Sequence, residues 1–237
     1  MALFHIIIPA AGFGSRMDSA TPKQYLDLAG EPVIAHTLKV FLDCVQVSAV
    51  HVLLNVEDTF FDALSCARNP KINVHYCGGV TRAQSVFNGL QAIKNSVSTD
   101  DWMLVHDAAR PCLSHTLLET LLESVQDDAV GGLLAIPLAE TLKRTNGDNK
   151  VAKTEPRENL WQAQTPQMFR YGLLAQALQS FSQKFNNAPT DESQAIEALG
   201  YSPTLVRGDL RNIKITYPQD LALAELILRT NKERTQQ

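Results

Sequence analysis

Residues 4–8 (FHIII) are an almost unbroken run of strand-forming side chains, and the run stops at Pro9 in a loop of small residues, Ala10, Ala11, Gly12 and Gly14. A strand without polar alternation is buried on both faces, as happens when helices cover both sides of a parallel sheet. Small residues straight after such a strand let backbone N–H groups approach an anion closely. Arg16 and Lys23 follow as cations suited to phosphate oxygens. This segment alone predicts an α/β sheet with an anion site beyond the carboxyl end of its first strand.

The rest of the chain keeps the rhythm. Strands are expected over 49–54, 72–76, 102–105, 130–138, 205–206 and 212–216, and helices over 33–44, 60–67, 81–94, 114–125, 171–181, 191–199 and 218–229. Thr81 with Gln84, and Ser114, are helix-start signals, because a hydroxyl can accept from an unpaired N–H of the first turn. Such alternation gives a Rossmann-like, mostly parallel sheet with helices on both faces. It breaks near 139–161, where Asn146 and Gly147 mark a hairpin, so a β-arm should project from one domain spanning 1–237. The polar tail, 230–237, is expected to fray.

Composition narrows the function class. The 237 residues are 45% hydrophobic and 19% charged, enough for a sizeable core, and a net charge of -4 argues against coating nucleic acid. No run of about 18 apolar residues exists to span a membrane. The first nine residues lack the basic start of a secretory leader, and the four cysteines form no CxxC pair, so a cytoplasmic protein with free thiols is expected.

Three constellations carry chemistry. The first is residues 9–16 with Lys23. It is not a dinucleotide fingerprint, because the third glycine position is Met17, and it lacks the Gly-Lys-Ser/Thr ending of a P-loop. The second is residues 78–85, where Gly78 and Gly79 permit close approach to a flat base and Ser85 offers a hydroxyl. The third is residues 105–111, where Asp107 ends a buried strand. A carboxylate there must be paired or metal-bound, so it either holds Mg²⁺ or forms a salt bridge with Arg110. His106 reads as a hydrogen-bonded structural histidine. Arg157, Thr190, Asp191 and Lys214 are, by spacing alone, ordinary polar positions.

Taken in series, PAAGFGSRM, PKQYL, GGVTRAQSV, VHDAARPC, ENLWQAQTPQ, TDESQAIE and NIKIT resemble the 2-C-methyl-D-erythritol 4-phosphate cytidylyltransferase family from Pro9 to about Glu225. The resemblance implies a nucleotidyltransferase-type fold, CTP and methylerythritol phosphate as substrates, Mg²⁺, and a homodimer whose arm reaches over the partner's site. It implies that Pro9, Ala10, Ala11 and Gly12 line the nucleotide pocket. Arg16 and Lys23 would bind the triphosphate, and Gly79 and Ser85 the cytosine. Asp107 and Ala108 would lie at the ribose and metal. Arg110, Thr141, Arg157 and Thr190 would serve the acceptor, Thr141 and Arg157 coming from the partner subunit, while Lys214 would bridge both phosphates. The chain departs from the family at Val80, where many members carry an acidic residue. Rival readings are a ribitol 5-phosphate cytidylyltransferase, a hexose 1-phosphate nucleotidylyltransferase and a non-catalytic nucleotide-binding regulator.

Overall fold

A computed structural model describes residues 2–13 and 21–235, the last four by backbone alone. Gly14 and Arg16 lie outside the described residues. Strand β1 (Phe4–Pro9) is followed by a minute hairpin, β2 (Asp27–Leu28) and β3 (Glu31–Pro32), then by α1 (Val33–Asp43), β4 (Val47–Leu53) and β5 (Ile72–His75). Next come α2 (Arg82–Ile93), β6 (Trp102–Val105), α3 (His115–Val125) and β7 (Gly131–Pro137). The arm is β8 (Leu142–Thr145) with β9 (Val151–Glu155). The chain closes with β10 (Trp161–Arg170), α4 (Tyr171–Lys184), α5 (Glu192–Glu197), β11 (Thr204–Arg207) and α6 (Gln219–Thr235).

The main sheet has seven strands in the order β11-β7-β10-β6-β1-β4-β5. All neighbouring pairs are parallel except those made by β10, which runs antiparallel to β6 and β7. The chain winds from β1 to β4 and β5 on one side and returns with β6 on the other, so β1 and β6 flank a topological switch point.

The apolar run of β1 is unbroken because each face has its own core. Ile6 and Ile8 pack with Ile34, Leu38 and Phe41 of α1 and with Leu118, Leu121 and Leu122 of α3. Ile7 packs with Val86 and Leu90 of α2 and with Leu174 and Phe181 of α4. A third cluster ties α6 to Leu28, Val33 and Ile215. Both hydroxyl caps form, Thr81 accepting from Gln84 N at 3.1 Å and Ser114 from Leu117 N at 3.2 Å, but the Gln84 amide donates to Asn88 Oδ1 at 2.7 Å instead of reaching back to close a capping box.

Three sequence expectations need correction, and one strand was not expected. Residues 60–67 are not one helix but two 3-10 turns, Phe61–Ala63 and Ser65–Arg68, because Leu64 between them is extended at ψ 142. Residues 212–216 are not a strand; Ile215 N reaches Ala109 O at 2.8 Å, but no ladder forms in the sheets described. The tail does not leave the helix at 230, since α6 runs to Thr235. The ten-residue β10 went unrecognised.

Adjacent strands β1, β4 and β5 also carry an imidazole ladder, buried at His5 and His51 and half-buried at His75. His5 Nδ1 is 3.2 Å from His51 Nε2, and His51 Nδ1 is 3.1 Å from His75 Nε2. Burial, then the neighbouring His5 and His75, push His51 down to about 3. The unfolded chain therefore takes up this proton first. The contribution of His51 to stability is complete above about pH 6.5 and declines as pH falls towards 3, by at most about 1.4 kcal/mol per pH unit. We expect His51→Asn to flatten the loss of stability between pH 6.5 and 4.5, measured by urea unfolding across that range; an unchanged slope would assign the acid sensitivity to other groups.

Candidate active site

A cleft of about 510 Å³ opens beyond the carboxyl ends of β1, β5 and β6. It is floored by Pro9, Ala10, Ala11 and Gly12, walled by Gly79, Val80, Arg82 and Ser85 on one side and by Asp107 and Ala108 on another, with Lys23 and Lys214 reaching in. Segments far apart in sequence meet here because their strands are neighbours at the switch point.

The first loop is held from behind. The buried Gln24 amide donates to Ala10 O at 2.7 Å and to Gly12 O at 3.1 Å. Gly78 N donates to Leu54 O at 2.8 Å, and a Cβ on Gly78 would stand 2.4 Å from Ala11 Cβ and 2.9 Å from Leu54 O. Of the glycine pair, then, Gly79 faces the cleft while Gly78 lets the second loop lie against the first. Gly78→Ala should displace the first loop at a cost of roughly 1–3 kcal/mol. The checks are thermal unfolding and the affinity of the cleft for pyrophosphate, both of which should fall. Ser85 sits in the first turns of α2; its hydroxyl accepts from Gly79 N at 3.0 Å and donates to Thr81 O at 3.0 Å, which fixes Gly79 and leaves one hydroxyl lone pair open.

Charge is concentrated at Asp107. Its Oδ1 accepts from Arg82 Nε at 2.8 Å, and its Oδ2 lies 2.8 Å from Lys214 Nζ and 3.4 Å from Arg110 Nε. Burial raises the Asp107 carboxyl, but Arg82, Lys214 and Arg110 outweigh it and hold the group well below the usual carboxylate range. Arg82 in turn grips the fully buried Glu192 through Nη1 at 2.7 Å and Nη2 at 3.1 Å. Lys23 Nζ donates to Ile215 O at 2.9 Å. Among the described residues, the cleft is lined by three cations, Lys23, Arg82 and Lys214, and one carboxylate, Asp107, so this chain of net charge -4 keeps a positive cleft. Such a site suits polyanions.

His106 is structural. It is fully buried, pairs with Thr165 Oγ1 at 3.0 Å and Arg110 O at 3.2 Å, and is pushed down to about 4, chiefly by burial.

Not every expected residue reaches the cleft. Arg110 turns to Asp107 and to Asn212 O at 2.6 Å, and is not part of the lining. Thr190 is exposed before α5 and bonds Gln194. Thr141 and Arg157 are exposed on the arm, where Arg157 Nη1 donates to Ala139 O, and neither lines the cleft of its own chain. Conversely, sequence reasoning passed over Arg82, Glu192 and Gln24. Arg82 and Glu192 stand inside GGVTRAQSV and TDESQAIE, but nothing in either segment reveals that the two meet.

The comparisons agree with this geometry. The family model described as 2-C-methyl-D-erythritol 4-phosphate cytidylyltransferase matches residues 4–230. A relative of that name from Dechloromonas aromatica is 50% identical over 233 residues, covering 98% of this chain and 100% of the relative. One from Nitrosomonas eutropha is 53% identical over 232 residues, with 97% and 98% covered. A crystal structure of 4-diphosphocytidyl-2C-methyl-D-erythritol synthase superposes with a TM-score of 0.84 at 40% identity, covering 96% of this chain and 99% of that one. The Francisella tularensis enzyme superposes with a TM-score of 0.83 at 37% identity, with 95% and 100% covered. With the match spanning both glycine loops, the Asp107 segment and Lys214, the chain belongs to the 2-C-methyl-D-erythritol 4-phosphate cytidylyltransferase family.

Proposed function

We propose that this chain transfers the cytidylyl group of CTP to 2-C-methyl-D-erythritol 4-phosphate, giving 4-diphosphocytidyl-2-C-methyl-D-erythritol and pyrophosphate for isoprenoid precursor synthesis. The observation that carries this reading is the excess of cations around Asp107 at the mouth of two glycine loops.

An acceptor phosphate oxygen attacks the α-phosphorus in line, a new P–O bond forms, and the bond to the bridging oxygen breaks with its electron pair leaving on pyrophosphate. The attacking phosphate is already ionised at pH 7, so no strong base is required. What the protein must supply is positioning and relief of repulsion between two polyanions. Lys23 and Arg16 serve the triphosphate. Lys214, on the Asp107 side of the cleft, bridges nucleotide and acceptor phosphates. Gly79 and the open lone pair of Ser85 meet the cytosine, and Pro9, Ala10, Ala11, Gly12 and Ala108 shape the pocket.

A magnesium ion fits this cleft. It needs one or two carboxylates plus substrate phosphates, and Asp107 is the carboxylate among the lining residues described. When bound it would neutralise phosphate charge. Asp107 would then serve the ion and the ribose as well as the cations it holds.

The acceptor half requires a second copy. Thr141 and Arg157 lie on the arm at 139–161, away from their own cleft, and the arm region exposes Leu142, Val151, Leu160 and Trp161. A homodimer that lays this arm over its partner would cover those side chains and bring Thr141 and Arg157 to Arg110 and Thr190 of the other subunit. We place the enzyme in the cytoplasm as one domain over 1–237, acting on small molecules rather than nucleic acid or membranes; its four cysteines are free, as suits a reducing compartment.

Pyrophosphate release tests the assignment. CTP with methylerythritol phosphate should release it, whereas ribitol 5-phosphate, glucose 1-phosphate, or GTP in place of CTP should not. Faster release with ribitol 5-phosphate would reassign the acceptor, and no release with any acceptor would leave a nucleotide-binding protein.

A further inference from the structure

None of the roles above uses Arg82, although it is fixed more firmly than either lysine. Its backbone starts α2, capped by Thr81, and its guanidinium is tied at both ends, by Nε to Asp107 Oδ1 at 2.8 Å and by two N–H groups to Glu192 at 2.7 and 3.1 Å. Glu192 is fully buried in the first turn of α5, and the neighbouring Ser193 N donates to Gln167 Oε1 at 2.8 Å, which locks that turn to β10. The two oxygens of Asp107 are therefore unequal. Oδ1 belongs to a rigid, bidentately anchored arginine, while Oδ2 takes Lys214, a flexible point charge with 38% of its side chain exposed, with Arg110 Nε farther off at 3.4 Å.

We propose that Arg82, backed by Glu192, is a positioning residue: it holds Asp107 by Oδ1 so that Oδ2 serves as an exchangeable seat from which Lys214 passes to the incoming nucleotide. This rests on the assignment of Lys214 to substrate phosphate. A buried carboxylate that lost its main counter-charge would either hold the lysine back or turn in its site. Arg82 removes both difficulties, because its charge stays when Lys214 leaves. Without it, Lys214 becomes the chief counter-ion of Asp107 and is withheld from CTP.

The test replaces both members of the ion pair together, Arg82→Met with Glu192→Met, because either change alone strands a buried charge. Melting temperature, kcat and KM for each substrate are measured, and the cycle is repeated in a Lys214→Ala background. The paired variant should melt close to the parent and raise KM for CTP by about tenfold or more, as for the loss of one charge-assisted hydrogen bond, with KM for the acceptor rising as well because Lys214 bridges both phosphates. In the Lys214→Ala background the same pair should add little, because the lysine to be released is gone. Arg82→Lys, one ammonium unable to bridge both carboxylates, should restore only part of the CTP affinity. Parental KM for CTP in a folded paired variant, or losses that add in full to those of Lys214→Ala, would overturn the proposal. Should the paired variant not fold, Arg82→Lys and Glu192→Gln decide in the same cycle, and parental constants in both would overturn it. A parent that turns over no CTP would instead refute the proposed function.

Discussion

Lys214→Ala should lower kcat by about 10²–10³-fold, the loss typical when one preorganised charge-stabilising donor is removed from a reacting centre, or about 3 kcal/mol in barrier. The fold should survive, because Asp107 keeps Arg82 at 2.8 Å and Arg110 at 3.4 Å. A catalytic loss with an unchanged melting curve distinguishes a transition-state cation from a structural one. Steady-state rates with both substrates saturating, set beside thermal unfolding, make the comparison. A kcat within a few-fold of the parent would remove Lys214 from the chemistry.

The largest expected effect on stability is at Asp107. Asp107→Asn keeps the shape but removes the charge that Arg82, Lys214 and Arg110 share. Leaving buried cations without their partner typically costs about 3–5 kcal/mol. In a chain of this size that lowers Tm on the order of 10 °C. The sign with pH follows from the cations holding this carboxyl below its usual range. Its contribution is present above the unfolded carboxylate value, near about 3.9, and is lost as pH falls through the folded one. The gap in stability between parent and variant should thus stay constant from neutral pH to about 4 and close only in stronger acid. A gap that narrows between pH 8 and 6 would mean that another group carries the effect.

The first strand made the architecture readable. Ile6, Ile7 and Ile8 are apolar in sequence because helices pack on both sides of them, and that periodicity is local. Strand β10 escaped for an equally physical reason. Its segment holds Pro166 and three glutamines, and a proline in a central strand argues against a strand. In the fold its pairing with β7 shifts register between Ala163 and Gln167, so Pro166 falls where no ladder hydrogen bond is needed. The buried Gln164 and Gln167 find partners outside the ladder, at Asp209 O and Asp191. Residues 212–216 are expected as a strand, yet Ile215 is buried against α6 rather than in the sheet.

The site was legible to the extent that it follows strand ends. Pro9 ends β1, Gly79 follows β5 and Asp107 follows β6, and the switch point brings them into one cleft. Arg82 with Glu192 was not legible, because that pair spans 110 positions and depends on where β10 and α5 are placed. The roles proposed for Thr141 and Arg157 rest on resemblance alone, since nothing local distinguishes them from solvated side chains on a hairpin.

Phosphorus NMR of a mixture of the protein, CTP, methylerythritol 4-phosphate and magnesium tests the central claim most directly. Cytidylyl transfer predicts that the acceptor monoester signal and the three CTP signals give way to a coupled pair from an unsymmetrical diphosphate diester and one line from pyrophosphate, in equal amounts. Inorganic phosphate with CDP, or a spectrum in which the acceptor monoester never changes, would contradict it.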